Sequence, residues 1–152
     1  MIRLTRQADY GILLLAEMAS HPEGSLHAAP ELAAATGLPA PMVSKTLKLL
    51  AKGHLLESAR GPRGGYKLVR HPDDISIAEI VGALEGPIAM TTCADGGDGE
   101  CGLQGRCRVH ENWRKLNRVV IGALQRLTLA DMVRPEPPRL VLLEELSRPT
   151  AR

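Results

Sequence analysis

Apolar residues in the first third of the chain recur at helical spacing in three runs, which proline and glycine separate. The first run follows a candidate N-cap at Thr5 and stops before the segment HPEG at 21–24. The second run covers only 31–36, where Gly37 closes it, and the third covers 42–52. Two short helices joined by a tight turn that contains glycine predict a helix-turn-helix.

The next two apolar runs are too short for helices, and they predict strands at 55–59 and 66–69. Between them, the segment RGPRGG at 60–65 has the glycines and the proline that suit a tight hairpin. A helix-turn-helix followed at once by such a hairpin predicts a winged helix. The capping box SIAE at 76–79 then predicts one more helix over 77–85, which closes the domain.

Beyond a glycine-rich segment, apolar residues again recur at helical spacing over about four turns. These residues are Trp113, Leu116, Val120, Leu124 (or Ala123) and Leu127. An amphipathic helix outside a complete winged helix has to bury its apolar stripe. We expect it to pack on the same helix of a second copy, which gives a symmetric dimer suited to a palindromic site. A helix folded back on its own domain is the alternative.

The predicted fold class is therefore mainly α with a small β-hairpin wing. We expect four regions along the chain, and the last contains a candidate docked helix at 140–146. They are a winged helix-turn-helix DNA-binding domain (1–86), a loop (87–110), a long dimerisation helix (111–134) and a C-terminal tail (135–152).

Charge is distributed unevenly, although the net charge is only +2. Seven basic residues and one acid, Glu57, lie between 41 and 70. The basic residues are Lys45, Lys48, Lys52, Arg60, Arg63, Lys67 and Arg70. A basic segment on an otherwise acidic body is typical of a protein that binds a phosphate backbone, with a solvated charged face as the alternative. Aromatic residues make up only 2% of the chain, which argues against stacking on single-stranded nucleic acid.

The N-terminus lacks the pattern of a signal peptide, and the apolar run GILLLAEMA is too short to span a bilayer. We therefore expect a cytoplasmic protein without a membrane partner. In that compartment an odd number of cysteines, here three, favours metal binding or redox chemistry over a structural disulfide. Neither a nucleophile–base pair nor a phosphate-binding loop is evident, so an enzyme is not expected.

All three cysteines lie in one segment, with the spacing Cys-x7-Cys-x5-Cys-x2-His over 93–110. Structural zinc sites favour close C-x2-C pairs, which are absent here, whereas wide spacing and five glycines suit an iron–sulfur cluster. Three thiolates leave one coordination position, which His110 can fill. Zinc bound by three cysteines and His110, and a thiol switch activated by Arg106 and Arg108, stay open as alternatives.

Several of these segments resemble the IscR/NsrR family of iron–sulfur transcriptional regulators. They are LTRQADYGILLLAEMA, RGPRGGYKL, DISIAEIVGALEG, the three cysteines followed by HENW, and LTLADMV. The resemblance covers essentially residues 1–134. The start ADYG and the segment GLPAPMVSKTLKLL are most similar to the branch that regulates the Suf cluster-assembly operon.

The resemblance implies a dimeric winged-helix repressor of cluster-assembly genes that carries an iron–sulfur cluster. The ligands it implies are Cys93, Cys101, Cys107 and His110. Asp9 matches an aspartate that nitric-oxide-sensing members supply from the partner subunit, so it is the alternative fourth ligand and implies an alternative signal. The resemblance favours a 2Fe–2S cluster. The first cysteine interval is longer than is typical of IscR, so 4Fe–4S stays open as the alternative.

The resemblance also implies which residues read DNA. On the recognition helix they are Pro41, Met42, Ser44, Lys45 and Lys48, and at the wing tip they are Arg60 and Arg63. Ser44 stands where IscR has an acid that discriminates between two operator classes, so that discrimination is not carried over. A function of a different class, an iron–sulfur or thiol redox carrier, stays open as a further alternative.

Overall fold

The computed structural model describes residues 4–91 and 106–134. The fold class is confirmed: the chain is mainly helical, with one two-stranded antiparallel hairpin in its described part. The helices are α1 (Arg6–Ala19), α2 (Ala29–Thr36), α3 (Ala40–Lys52), α4 (Ile77–Glu85), α5 (His110–Arg126) and α6 (Leu129–Val133). The strands are β1 (Leu56–Ala59) and β2 (Gly65–Leu68).

Local signals place most of the helix ends. The hydroxyl of Thr5 accepts hydrogen bonds from the backbone N–H groups of Gln7 and Ala8, which fixes the start of α1. Gly37 ends α2 in the left-handed conformation, with φ of 71°. The recognition helix α3 begins at Ala40, two residues before the predicted 42–52, because Pro41 fits its first turn.

The core is aliphatic and is shared by all parts of the winged helix. Its fully buried members include Leu14, Leu15, Leu32, Val43, Leu47, Leu50, Ile75, Ile80 and Leu129. The apolar stripes of α1, α3 and α4 meet in this core, where their removal from water stabilises the fold. The outward face of α3 is thereby held on the surface.

A third backbone segment supports the wing. His27, just before α2, forms a bridge with Tyr66 of β2 through two backbone hydrogen bonds of 2.9 Å. At the neighbouring Gly65, a Cβ atom would lie 2.6 Å from the carbonyl oxygen of His27, so this close approach requires glycine. The bridge ties the hairpin to the helix-turn-helix.

The segment 111–134, expected as one long helix, contains two helices. α5 ends at Arg126, Leu127 is extended, and Thr128 caps α6 in a reciprocal capping box with Asp131. Leu129 is fully buried in the core, and its N–H donates to the carbonyl of Ile75 at 2.8 Å. The end of this segment thus belongs to the winged-helix domain itself.

Candidate functional site

The recognition helix presents the predicted DNA-reading residues opposite its buried face. Met42, Lys45 and Lys48 are exposed and Ser44 is half-buried, whereas Val43 lies in the core. Pro41 is exposed in the first turn of the same helix. The structure therefore brings all five predicted residues of α3 to the surface or its edge, as entry into a major groove requires.

The wing tip is a narrow turn with two exposed arginines, Arg60 and Arg63. Gly61 has φ of 112°, and the N–H of Gly64 donates to its carbonyl at 2.9 Å. A Cβ at Gly64 would collide with the carbonyl oxygen of Ala59. The turn is thus compact enough for its arginines to project toward a groove or a backbone.

Ion pairs neutralise two of the seven basic residues between positions 41 and 70. Lys67 pairs with Glu57 across the hairpin at 3.1 Å, and Arg70 pairs with Glu79 at 2.8 Å. Within residues 4–91 and 106–134, the other five basic residues of that segment have no carboxylate within ion-pair distance. These five are Lys45, Lys48, Lys52, Arg60 and Arg63, and all are exposed. Within residues 41–70, the positive charge without an ion pair therefore lies on α3 and the wing tip.

A histidine pair lies beside the wing support. The rings of His21 and His27 meet edge to face with centroids 4.9 Å apart, next to a small cavity of about 90 Å³. Burial, followed by the charge of His21, lowers the pKa of His27, while Glu31 and Glu17 act in the opposite direction. The neutral form of His27 is thus favoured at the point where the wing joins the domain.

One part of the predicted metal site falls within the described residues. Cys107 is a half-buried free thiol, and its carbonyl accepts a hydrogen bond of 3.4 Å from the N–H of His110, the first residue of α5. The two candidate ligands therefore share one turn at the start of a helix, as their spacing predicts. Cys93 and Cys101 lie outside the described residues.

The alternative ligand Asp9 is exposed in the first turn of α1. Among the described residues, no group of three or more His, Cys, Asp or Glu side chains is placed to hold a metal ion. The structure thus joins Cys107 with His110 but leaves the choice between His110 and Asp9 as a prediction. Thiolate and imidazole donors are compatible with either a cluster or zinc.

The predicted dimerisation residues do not all share one environment. Trp113 and Val120 are half-buried, and Leu124 and Leu127 pack against the core of their own chain. The large apolar side chains of α5 that are exposed are Leu116, at 42%, and Val119, at 49%. The apolar face that is free to meet another molecule is therefore rotated relative to the predicted stripe, and the sequence interpretation missed Val119.

One buried polar residue was not anticipated from the sequence. Asn117 lies in the middle of α5 with only 5% of its surface exposed, and its side-chain amide bonds the backbone of Ile88 and Met90. The sequence contained one sign of this burial, because Asn117 lies within the apolar stripe of the helix. A buried amide needs hydrogen-bond partners, and here they come from the chain that leads into the cysteine segment.

Comparison with known proteins identifies the family. The family model Rrf2, described as an iron-dependent transcriptional regulator, matches residues 4–135. This chain belongs to the Rrf2 family. Rrf2 winged-helix regulators bind DNA, so the expected DNA-binding, non-enzymatic class is confirmed. The resemblance found in the sequence is confirmed at the level of the family, while the Suf branch stays a prediction.

Individual relatives are similar over most of their length. The chain is 33% identical to "Protein aau3" of Rhizobium meliloti (strain 1021), over 97% of each chain. It is 28% identical to the "HTH-type transcriptional regulator IscR" of Serratia proteamaculans (strain 568), over 87% of this chain and 79% of the relative. A solved structure described as CymR, the global cysteine regulator of B. subtilis, is 25% identical with a TM-score of 0.70, covering 88% of this chain and 97% of that one.

Hydropathy adds one further fact about this Rrf2 protein. Across 4–91 and 106–134, no helix has both the length and the apolar character needed to cross a bilayer.

Proposed function

We propose that this Rrf2-family protein is an iron–sulfur-dependent repressor of cluster-assembly genes, of the Suf type, that acts in the cytoplasm as a homodimer. The observation that carries the proposal is the turn shared by Cys107 and His110 at the start of α5. In a family described as iron-dependent, a thiol and an imidazole in one helical turn are a natural half of an iron ligand set.

For operator binding, we propose that α3 enters the major groove while the wing tip contacts the backbone or the minor groove. The unpaired cations on these two elements support this, because neutralised phosphates supply most of the non-specific affinity for DNA. Pro41, Met42 and Ser44 occupy the leading end of α3, where base edges come within reach. The ion-paired Lys67 and Arg70 contribute less to phosphate binding.

For the cofactor, we propose that Cys93, Cys101, Cys107 and His110 hold a 2Fe–2S cluster, with 4Fe–4S as the alternative. A bound cluster would supply an iron centre that is lost when iron is scarce or when oxidants or nitric oxide attack it. The chain's own contribution is to supply thiolate sulfur from Cys107 and imidazole nitrogen from His110, which lie three positions apart in one turn. Operator affinity then depends on whether residues 93–110 are held by ligand bonds, with a coupling free energy on the order of 1–3 kcal/mol.

For assembly, we propose that the exposed apolar side chains of α5 form a two-fold interface. Leu116 and Val119 are almost half exposed on a helix that is otherwise anchored to its own domain. A symmetric dimer buries such a face on both copies and presents two recognition helices to a palindromic operator.

Anaerobic purification followed by iron and sulfide analysis and a visible spectrum tests the cofactor. We expect iron and acid-labile sulfide in equal amounts and visible absorbance, and gel-shift affinity for the chain's own promoter region should change when the cluster is removed. A colourless protein that holds one zinc per chain would overturn the cluster and favour a zinc site.

Two other sensing chemistries have specific support. Asp9 is exposed on α1, which leaves its carboxylate accessible to a ligand, and loss of absorbance in Asp9→Ala but not in His110→Ala would favour the nitric-oxide-sensing function. The similarity to a protein described as a global cysteine regulator, together with the free thiol of Cys107, favours thiol-based sensing. Operator binding that responds to thiol oxidants in iron-free protein would select this candidate over the cluster.

A further inference from the structure

Two histidines on either side of the turn between α1 and α2 line one small cavity. His21 follows the end of α1, His27 precedes α2, and the cavity of about 90 Å³ lies between this turn and residues 68–72, where the chain leaves the wing. A cavity of this size has room for an ion with a few waters, whereas pockets for organic ligands measure about 300–1,000 Å³. The cavity therefore suits a small ion rather than a metabolite.

The imidazole of His27 is buried beside this cavity. Only 8% of His27 is exposed, and its ring meets the ring of His21 edge to face. The backbone of His27 bonds to Tyr66, but neither of its ring nitrogens has a hydrogen-bond partner within residues 4–91 and 106–134. Because buried polar groups are normally hydrogen-bonded, this ring indicates a ligand in the cavity.

The ring of His21 is held with one nitrogen available to a ligand. Its Nδ1 lies 3.0 Å from the carbonyl oxygen of Glu17, and a carbonyl oxygen only accepts, so the Nδ1–H group is the donor. In the neutral ring, Nε2 then has a free lone pair. Metal-binding histidines typically show this arrangement, because the bond from one ring nitrogen orients the ring while the other nitrogen binds the ion.

The distance between the two rings fits a shared ion. Their centroids are 4.9 Å apart. Two imidazoles on one tetrahedral ion, with metal–nitrogen bonds of about 2.0–2.1 Å, have centroids roughly 5 Å apart. Within the described parts of the chain, no third side chain completes a group of three ligands, so water fills the other coordination positions of such an ion.

The charges around the cavity favour a cation over an anion. Glu23 lines the cavity. Glu17 and Glu31 lie close enough to His27 to interact with it electrostatically. In the part of the chain that the structure describes, none of these three carboxylates has a Lys or Arg within ion-pair distance, and the arginine that lines the cavity, Arg70, is already in an ion pair. Imidazole nitrogen selects zinc and related transition metals over magnesium or calcium.

We propose that His21 and His27 form a second metal site, which binds a divalent transition-metal ion of the zinc class. This site goes beyond the proposed function, because it needs neither a cluster nor a cysteine. His27 also joins the wing, through two backbone hydrogen bonds of 2.9 Å with Tyr66. An ion held by both histidines therefore links the end of α1 to the segment that supports the wing, and its binding stabilises that arrangement.

Zinc titration of a chain without cysteines tests the site. An untagged variant with all three cysteines replaced by serine has no thiolate ligands, and competition with a fluorescent zinc chelator measures its affinity. We expect one zinc ion per chain. In the same background, His21→Gln and His27→Gln should each weaken binding by about tenfold or more, whereas His54→Gln, at an exposed site outside the cavity, should leave it unchanged. Absence of zinc binding, or equal binding in His21→Gln and its parent, would overturn the proposal.

A second measurement applies if the chain without cysteines does not fold. Native mass spectrometry counts the zinc ions that the metal-free, unmodified chain takes up. His21→Gln should hold one ion fewer, and His54→Gln should hold the same number. Equal counts in His21→Gln and the unmodified chain would exclude the site. Neither measurement uses iron or sulfide, so failure of the proposed cluster function would leave both results unchanged.

Hydrogen exchange tests the link to the wing. The N–H groups of His27 and Tyr66 each donate to the other residue's carbonyl, so both exchange when this bridge opens. An ion that binds only the closed bridge should slow their exchange about tenfold when free zinc is about ten times its dissociation constant. His21→Gln should show no such effect. Unchanged exchange in the zinc-loaded parent would overturn the restraint on the wing.

Discussion

The backbone N–H of Ile77 donates a hydrogen bond of 2.8 Å to the carbonyl of Leu127. Ile77 opens α4, where N–H groups lack partners within the helix, and Leu127 is the extended residue between α5 and α6. The bond therefore fastens the far end of α5 to the DNA-binding domain. Since α5 begins at His110, one continuous helix runs from the candidate ligand to the winged-helix core, which is a direct physical route between them.

Docking of α6 should contribute strongly to the stability of the domain. Leu129→Ala is expected to lower the free energy of unfolding by about 2–5 kcal/mol, because Leu129 is fully buried in the core. Met132→Ala on the same short helix is the control and should have little effect, since Met132 is 47% exposed. Urea unfolding followed by circular dichroism measures both, and similar values would show that α6 does not dock in solution.

The wing arginines should act by neutralising DNA phosphates. For Arg60→Ala combined with Arg63→Ala, we expect weaker binding to all DNA sequences and a salt dependence whose slope falls by about 1 for each phosphate that is no longer neutralised. Lys67→Ala is the control, because its side chain is already paired with Glu57. Fluorescence anisotropy at several salt concentrations measures the slope. A double variant that retains the full slope would exclude the tip from the interface.

The apolar face of α5 should control assembly. Leu116→Glu is expected to convert the proposed dimer into a monomer at micromolar protein concentration, because a symmetric interface would bury the new charge twice. Light scattering coupled to size-exclusion chromatography measures the mass, with Asn112→Glu as an exposed control on the same helix. A dimer that survives Leu116→Glu would place the interface elsewhere.

His27 should make stability depend on pH near neutrality. Its pKa is lower in the folded than in the unfolded state, so the unfolded chain takes up the proton first as the pH falls. The free energy of unfolding therefore has its full value above about pH 6.5 and declines as the pH falls below that value. The lowered pKa values of Glu79 and Asp131 act only below about pH 4.5, where stability is lost as these carboxylates become protonated.

Comparison of unfolding at pH 7.5 and pH 5.5 isolates the contribution of His27. His27→Gln should reduce the difference in free energy between the two pH values, whereas substitution of the exposed His54→Gln should preserve it. An unchanged difference in His27→Gln would mean that another group causes the decline.

The recognition helix contains a polar group that reduces stability. Within the described residues, the fully buried hydroxyl of Thr46 has no hydrogen-bond partner. Thr46→Val keeps the shape and removes the unsatisfied oxygen, so we expect stabilisation by about 1 kcal/mol. Thr36→Val is the matched control without such a gain, because the Thr36 hydroxyl donates to the carbonyl of Leu32 at 2.6 Å. Thermal unfolding of both variants tests the difference.

Features that depend on near neighbours in the chain follow from local sequence patterns. The capping box of Ser76 with Glu79, the glycine end of α2 and the hairpin turn all form as predicted, because their hydrogen bonds and backbone angles involve residues a few positions apart. The boundary before α6 also had a local signal, Thr128 with Asp131, which the apolar periodicity of the segment concealed.

Contacts between distant groups depend on how the elements pack, and local patterns do not predict them. No local pattern in the sequence indicates the pairing of Arg70 with Glu79, the bridge of His27 with Tyr66 or the bonds of Asn117 to Ile88 and Met90. Burial and the choice of partner follow from how whole elements pack. Packing therefore determines which basic residues form ion pairs, which face of α5 is exposed and that Asn117 is buried. The physical reason is that a helical period defines which residues share a face, whereas packing decides what that face touches.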